Sequence, residues 1–468
     1  MLSQIKRIHF VGIGGSGMSG LAELMVKQGH IVSGSDLQQS EATERLATLG
    51  VRIHHGHAAE HVVDADVVVS SSAVRATNPE VVEATRRQIP VMARAEMLAE
   101  LMRRHSGIAI AGAHGKTTTT SMIALTLEQA GFDPTAVIGG RLAAFGSNAR
   151  LGRGEWMVAE ADESDRSFLR LSPTVAVITN IDFEHLEAYS SFEDLQQAFV
   201  DFANKIPPSG AVVLCADDSH VRAIRPRLMG RVVTYGLEVD ADFTGCHIVL
   251  DGLRGSCTVR KRVEASRSVS IQDLAVGTLQ LAVPGRHNLQ NALAAVAVGA
   301  ELGIPFDTIA QALAQFRGAD RRFQVIGEEH GVMVVDDYGH HPTEIGAVLA
   351  AARAQHPARV IVVFQPHRYT RTRQLLSSFG SVLGGADEVI LTEIYAAGED
   401  PIPGITIDAL ADAIRAAGHP KVDVVRSLAE IPAHVTERAR PGDLVVMLGA
   451  GSIGAWGPRV LAALRARG

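Results

Sequence analysis

Gly112, Ala113, His114, Gly115, Lys116, Thr117 and Thr118 are the residues of this 468-residue chain best suited, by type and spacing, to grip a phosphate tail. Glycines let backbone N–H groups turn inward, and a helix beginning near Thr117 would add its positive end. Lys116 would place a point charge on the β- and γ-phosphates, and the Thr117 hydroxyl would hold Mg²⁺. The match to GxxxxGK[ST] is incomplete, because position 110 is isoleucine. What remains, GxxGKTT, draws its specificity from lying between a strand-like and a helix-like segment. An ATP site also needs carboxylates for metal. Glu160, Asp162, Glu163 and Asp165 crowd together just past a strand-like run at 156–159, where ligand groups gather in open α/β sheets. Mg²⁺ takes one or two carboxylates beside phosphate oxygens and water, and Glu160, nearest the strand end, is the best single candidate. His185 follows the next strand and fits a second-metal ligand, a phosphate contact or a structural histidine equally well.

The elements that must carry these groups show in the apolar pattern. Residues 7–11 read as a strand, Gly12-Ile13-Gly14-Gly15-Ser16-Gly17 as a GxGxxG turn, 18–28 as a helix, and 30–34 as a second strand ending at Asp36. Taken alone, this βαβ unit is a dinucleotide fingerprint, so an NAD-dependent dehydrogenase is the rival from another class. The same glycine spacing recurs at Gly449, Gly451 and Gly454 with no complete βαβ unit after it. Strand-like runs at 66–70, 90–92, 106–111, 156–159, 174–179 and 211–214 alternate with helix-like ones at 79–88, 95–103 and 119–130. Residues 231–283 read as short strands and turns, followed by a helix at 288–302. The last third restarts with strands at 332–335, 360–364, 388–391, 421–425 and 444–448 and a helix at 343–355. Continuous apolar strands between helices imply mostly parallel, helix-covered sheets. The expected fold is α/β with three domains in series. These are a Rossmann-like domain (1–105), a central P-loop ATPase-like domain with a mostly parallel sheet plus a small β region (106–317), and a second Rossmann-like domain (318–468).

Composition narrows the class. At roughly 150 residues per domain, the length allows about three. A net charge of −7 argues against a general nucleic-acid binder. Three cysteines without CxxC spacing exclude a disulfide framework and fit a reducing compartment. No window approaches the ~18 apolar residues of a membrane span, and the opening strand leaves no room for a signal peptide. A cytosolic enzyme with no membrane or nucleic-acid partner is expected. His54, His55, His57 and His61 lack an accompanying cysteine or acid pattern and are expected in a solvated loop. Arg254, Arg260, Lys261, Arg262 and Arg267, with no interleaved aromatics, are expected on an exposed hairpin face rather than an RNA platform.

Taken in order, 112–118, 160–165, 179–186, Gly285-Arg286-His287-Asn288-Leu289-Gln290-Asn291 and Asp336-Asp337-Tyr338-Gly339-His340-His341-Pro342 resemble the motif series of the Mur ligases of peptidoglycan synthesis. The resemblance covers essentially the whole chain. Residues 336–344 and Gln365-Pro366-His367-Arg368-Tyr369-Thr370-Arg371-Thr372 look like the alanine-adding members. So does the absence of lysine between 171 and 204, where most of the family carry a carbamylated lysine between two metals. What replaces that bridge is left open. A tripeptide-adding ligase of the same family is the nearest rival.

The resemblance implies ATP, Mg²⁺, UDP-N-acetylmuramate and L-alanine as reactants, with an acyl phosphate formed on the sugar carboxylate and then attacked by the amine. It implies first-step machinery of Lys116, Glu160 and His185, with metal on Thr117, Glu160 and His185. Nucleotide contacts would come from the 112–118 loop with Asn288, Asn291 and Asp337, since amides can pair with the adenine edge. Gly14, Gly15, Ser16, Gly17, Asp36, Ser71 and Arg322 would hold the UDP-sugar. Tyr338, His340, Arg368 and Arg371 would hold alanine, with Arg368 also catalytic, because an arginine fork binds a free carboxylate bidentately. Arg368 and Arg371 are three apart, so a helical turn would put them on one face. Arg321 and Arg322 either reach back to the nucleotide or cap the interdomain surface, and the hinge role is preferred.

Overall fold

Ile8, Phe10 and Val11 are at most 1% exposed, as befits a strand covered on both faces. The computed structural model describes residues 5–71, 74–142, 144–183, 188–264, 271–418 and 421–467; His185 and Arg267 lie outside them. Strands β1 (Arg7–Val11), β2 (Ile31–Asp36), β3 (Arg52–His55), β4 (Val67–Ser70) and β5 (Val91–Ala93) form a sheet in the order β3-β2-β1-β4-β5. All its pairings are parallel. Strand order reverses direction between β1 and β4, and the crevice at such a switch point is where open α/β sheets bind ligands. The Gly12–Gly17 turn leaves β1 there, and Ser71 follows β4.

The second sheet has ten strands: β6 (Ser106–Ala111), β7 (Thr135–Leu142), β8 (Ser147–Arg150), β9 (Trp156–Glu160), β10 (Val175–Ile178), β11 (Ala211–Cys215), β12 (Val232–Gly236), β13 (Phe243–Asp251), β14 (Arg254–Glu264) and β15 (Ile271–Leu281). Their order is β15-β14-β13-β12-β11-β10-β6-β9-β7-β8. The expectation of short strands across 231–283 is corrected: β13, β14 and β15 run nine, eleven and eleven residues. In β13 Phe243 and Gly245 are buried while His247, Val249 and Asp251 are exposed, so only its start is covered, and the run continues the central sheet through the parallel β12–β13 pairing. The helix Lys116–Gln129 follows β6 and is buried almost throughout from Thr118 to Leu127, leaving its N-terminal turn at the sheet's ligand-binding edge.

The third sheet joins β16 (Gln324–Glu329), β17 (Val332–Asp337), β18 (Arg359–Phe364), β19 (Glu388–Leu391), β20 (Val422–Val424) and β21 (Asp443–Leu448) in the order β16-β17-β21-β18-β19-β20. Only β16 runs antiparallel among the pairings described. By contact density the chain forms two compact units. One comprises Met1–His247, Cys257–Leu279 and Gln290–Phe316, and the other Ile248–Ser256, Gln280–Leu289 and Arg317–Gly468. The first two sheets therefore belong mainly to the first unit and the third sheet to the second. Among the described residues no helix is long and apolar enough to cross a membrane.

Candidate active site

β6 delivers the chain to Gly112 at φ +136°, where a Cβ would overlap Thr179 Oγ1 and lie 3.0 Å from the Asn180 carbonyl oxygen. Only glycine fits. The loop is braced from β10. Thr179 Oγ1 donates to the His114 carbonyl at 2.7 Å, and Asn180 Nδ2 donates to it at 3.0 Å. Asn180 Oδ1 accepts the His114 N–H at 2.8 Å, and His114 Nε2 lies 2.9 Å from Asp182. Gly115, at φ +79°, caps the helix Lys116–Gln129 and packs so close to Asn291 that a Cβ would sit 2.7 Å from its Oδ1. Asn291 thus stands beside the loop that it was expected to serve. Asn288, 8% exposed, donates from Nδ2 to the Pro284 carbonyl at 2.7 Å.

Lys116 Nζ donates to the Gly112 carbonyl at 2.7 Å and to both oxygens of Glu163 at 2.9 and 2.8 Å. Glu163 is 2% exposed. Burial alone would lower the ammonium, but the carboxylates of Glu163, Asp162 and Glu160 outweigh it and hold Lys116 above its ordinary value. The lysine is therefore a fixed cation. Asp162 is held below the usual carboxylate range: burial opposes this, and Lys116, the Ser164 amide and Arg94 override it. Glu160 ends β9, with Oε1 accepting the Gly139 N–H at 2.6 Å. A Cβ on Gly139 would overlap Glu160 Oε2, so the glycine makes room for this carboxylate. Thr117 lies half-buried in the helix's first turn. Glu163, Thr179 and Asn180 lay within segments that the sequence marked, but their roles were not assigned from it. The four acids of 160–165 do not reveal which one turns inward, and the brace depends on a strand pairing 60-odd residues distant.

At the first sheet, the Gly12 and Ile13 amides donate to the Ser35 carbonyl at 2.9 and 3.0 Å. The Gly14 amide donates to Asp36 Oδ2 at 2.8 Å. Asp36 thus stabilises the glycine turn, and its Oδ1 accepts the Gln38 N–H at 3.1 Å. Gly15 precedes the helix Ser16–Lys27, and Arg94 crosses so close to Gly17 that a Cβ would lie 3.0 Å from its guanidinium. A cavity of about 390 Å³ opens beside Ser71, Arg94, Asp165, Arg166 and Arg170. Its three arginines come from two distant segments, which no spacing rule links.

The histidines expected in a solvated loop are not in one. Register pairing of Asp36 with His55 carries His57 beneath Ser35, and His57 and His61 both reach the buried Glu80. Arg254, Arg260 and Lys261 are exposed as expected, while Arg262 is half-buried and pairs with Asp240.

In the second unit, β17 and β18 flank β21 and bring together residues expected around alanine. Tyr338 meets His340 edge-on at 5.4 Å, His340 lies 5.7 Å from His367, and His367 stacks on Tyr395 at 5.6 Å. Burial pushes His367 down to about 3, helped by His340, Arg371 and Arg368. It is a neutral imidazole, with Nδ1 3.4 Å from the Arg371 guanidinium. His367 and Tyr395 were not singled out from the sequence. The expectation that Arg368 and Arg371 share a helical turn is corrected. Arg368 is the residue before the helix Tyr369–Leu383, at φ +70°, its N–H tied to the Tyr395 carbonyl at 2.8 Å. That conformation costs a non-glycine residue about 1–3 kcal/mol, and strain of this kind gathers where a side chain must be aimed. Arg321 and Arg322 lie over the Tyr338 ring at 5.1 and 5.4 Å, and Arg321 donates to Asp336 at 2.9 Å.

Asp337 is 5% exposed, and its oxygens accept the Phe323 and Gly339 N–H groups at 2.7 and 2.6 Å. Burial pushes it up to about 6, against the pull of Arg322 and those two amides. A carboxyl raised in the fold costs nothing below its ordinary value near 4. The cost grows as pH rises to about 6 and then stays at about 3 kcal/mol. Titration of the Asp337 carboxyl carbon by NMR should show a midpoint near 6, and a higher one in Arg322→Ala. A midpoint below 4 would refute the burial argument.

Comparison with known proteins accords with this geometry. Residues 7–106 match the Mur ligase family catalytic domain, 110–299 the Mur ligase middle domain, and 321–451 the Mur ligase glutamate ligase domain. The chain is 55% identical over 462 residues to a UDP-N-acetylmuramate–L-alanine ligase of Anaeromyxobacter dehalogenans, covering 99% of this chain and 98% of the relative. It is 52% identical to the protein of that name from Geobacter sp. (strain M21), covering 100% and 99%. The crystal structure of UDP-N-acetylmuramate–alanine ligase from Thermotoga maritima superposes with a TM-score of 0.84 at 30% identity, covering 99% and 100% of the two chains. A murein peptide ligase from Psychrobacter arcticus gives 0.72 at 26% identity, covering 98% and 99%. The chain belongs to the Mur ligase family.

Proposed function

We propose that the chain joins L-alanine to the carboxylate of UDP-N-acetylmuramate in an ATP-driven reaction of peptidoglycan synthesis. The alignment of its full length with ligases of that name supports the substrates. The observation that carries the chemistry is Lys116, a permanent cation at the mouth of a glycine loop on a helix N-terminus. Residues 1–105 would bind the nucleotide sugar, 106–317 ATP and 318–468 the amino acid. ATP as reactant goes with a cytoplasmic location.

In the first step the sugar carboxylate oxygen bonds to the γ-phosphorus as the bond to the β-phosphate oxygen breaks, giving an acyl phosphate and ADP. Lys116 and the amides of the 112–118 loop stabilise the charge on the transferring group. In the second step alanine's neutral amine attacks the acyl carbon, loses a proton, and expels phosphate. Arg368 and Arg371 would hold its carboxylate, with His340 and Tyr338 alongside. The neutral His367 supports Arg371 without competing for that carboxylate. Gly14, Gly15, Ser16, Gly17 and Ser71, with Arg94 beside them, would take the sugar nucleotide's diphosphate. Arg322 and Asp337 would order the segment beside the alanine residues.

Mg²⁺ fits the residues present. Glu160 and Thr117 offer hard oxygen donors, and the bare Gly139 leaves space for the carboxylate. A bound Mg²⁺ supplies charge neutralisation to the phosphates. His185 would complete the set.

A coupled phosphate-release assay with UDP-N-acetylmuramate and ATP tests the reading. Sustained turnover is expected with L-alanine and none without an amino acid, and a tripeptide should not replace alanine. Equal phosphate release without any amino acid would overturn it.

A further inference from the structure

Behind the first glycine turn lies a buried polar cluster that the reaction does not use. Glu80, in the first turn of the helix Pro79–Arg86, is completely buried. Its carboxylate accepts the Ser35 hydroxyl at 2.5 Å and lies 2.6 Å from His61 Nδ1, 3.3 Å from His57 Nδ1 and 3.6 Å from His9 Nε2. His9 Nδ1 is in turn 2.9 Å from Ser33 Oγ, and His54 stacks on His61 at 4.0 Å. Burial would raise Glu80, but the nearby His9 imidazole and hydrogen bonds from Ser35 and His61 bring it down to about 2. It is therefore an ionised group in the core. Buried ions are poor sources of stability, since apolar residues of similar volume would serve as well or better. Their value lies in geometry.

What Glu80 grips is Ser35, the residue whose carbonyl accepts the Gly12 and Ile13 amides. The next residue, Asp36, takes the Gly14 amide. His57 also contacts the Ser35 hydroxyl, at 3.0 Å, and the Gly56 amide donates to the Asp36 carbonyl at 2.8 Å. Three successive amides of the turn thus hang on a dipeptide anchored from below. We infer that Glu80, through Ser35, is a positioning residue that sets the glycine turn for the diphosphate of the nucleotide sugar. This rests on the reading of that turn as the UDP-sugar site. The carboxylate never reaches ligand; it fixes the acceptors that decide where the turn's amides point.

The full-length protein tests it by calorimetric titration with UDP-N-acetylmuramate and, separately, with a non-hydrolysable ATP analogue. Glu80→Gln should weaken the nucleotide sugar about tenfold, the scale of one charge-assisted hydrogen bond, and leave the ATP analogue unchanged. In turnover this is a raised KM for the sugar at constant kcat. Ser35→Ala, which spares the backbone, should act in the same direction. The double variant should be no weaker than Glu80→Gln alone, because both act through one contact. Ser35→Ala also stands in if Glu80→Gln does not fold. Unchanged sugar affinity in both variants, or equal loss for both ligands, would overturn the inference. Gly14→Ala separates the two layers: if it leaves sugar affinity untouched, the reading of the turn itself fails.

Discussion

Lys116→Ala is expected to lower turnover by about 10²–10³-fold, the scale of removing one preorganised electrostatic contact, while UDP-N-acetylmuramate still binds. The ammonium is held by the Gly112 carbonyl and both oxygens of Glu163, so it is in place before any nucleotide arrives. Its loss leaves Glu160, Asp162 and Glu163 facing a triphosphate without a counter-charge, so ATP affinity should fall as well. The variant also strands a buried carboxylate, and a plain loss of fold would imitate a loss of function. Glu163→Gln in the same chain removes that stranded charge. The double variant should regain thermal stability and remain inactive. Recovery of activity along with stability would show that the lysine served the fold and not the chemistry. Steady-state kinetics beside a melting curve decides it.

Gly112→Ala is expected to cost about 10²-fold or more in turnover. An added Cβ meets Thr179 Oγ1 and the backbone of Asn180, not a yielding side chain, and the φ of +136° strains any L residue. The loop must shift, taking with it the Thr179 and Asn180 bonds to His114, and misplacement by about 1 Å is worth roughly 10²-fold. Gly115→Ala gives a graded comparison. Its Cβ meets the Asn291 side-chain amide, which can rotate away, so its loss should be smaller. Equal rates for wild type and Gly112→Ala would mean that the loop does not carry the reaction.

The strand–loop–helix at 106–129 was legible because its parts are local: an apolar strand, glycines where the chain turns, and a lysine at the helix start. The parallel sheets followed from uninterrupted apolar strands. What escaped depends on distant pairings. The hairpin β7–β8 was missed because Gly139 and Gly140 break its apolar pattern. The edge strand β16 was missed because half its positions are exposed. The histidines of 54–61 were misjudged because the partner that organises them, Glu80, lies on another element. Arg368 looked helical by spacing, but the Tyr395 carbonyl holds it just outside the helix. His185, a candidate metal ligand, lies outside the described residues.

If the protein phosphorylates a carboxylate within reach of Lys116, one carboxylate oxygen must leave in the phosphate. Turnover with UDP-N-acetylmuramate labelled with ¹⁸O in its carboxylate tests this most directly. Each inorganic phosphate released should carry one labelled oxygen, transferred when the acyl phosphate is cleaved by the amine. Phosphate free of label, with the oxygen lost from the carboxylate appearing in water instead, would contradict it.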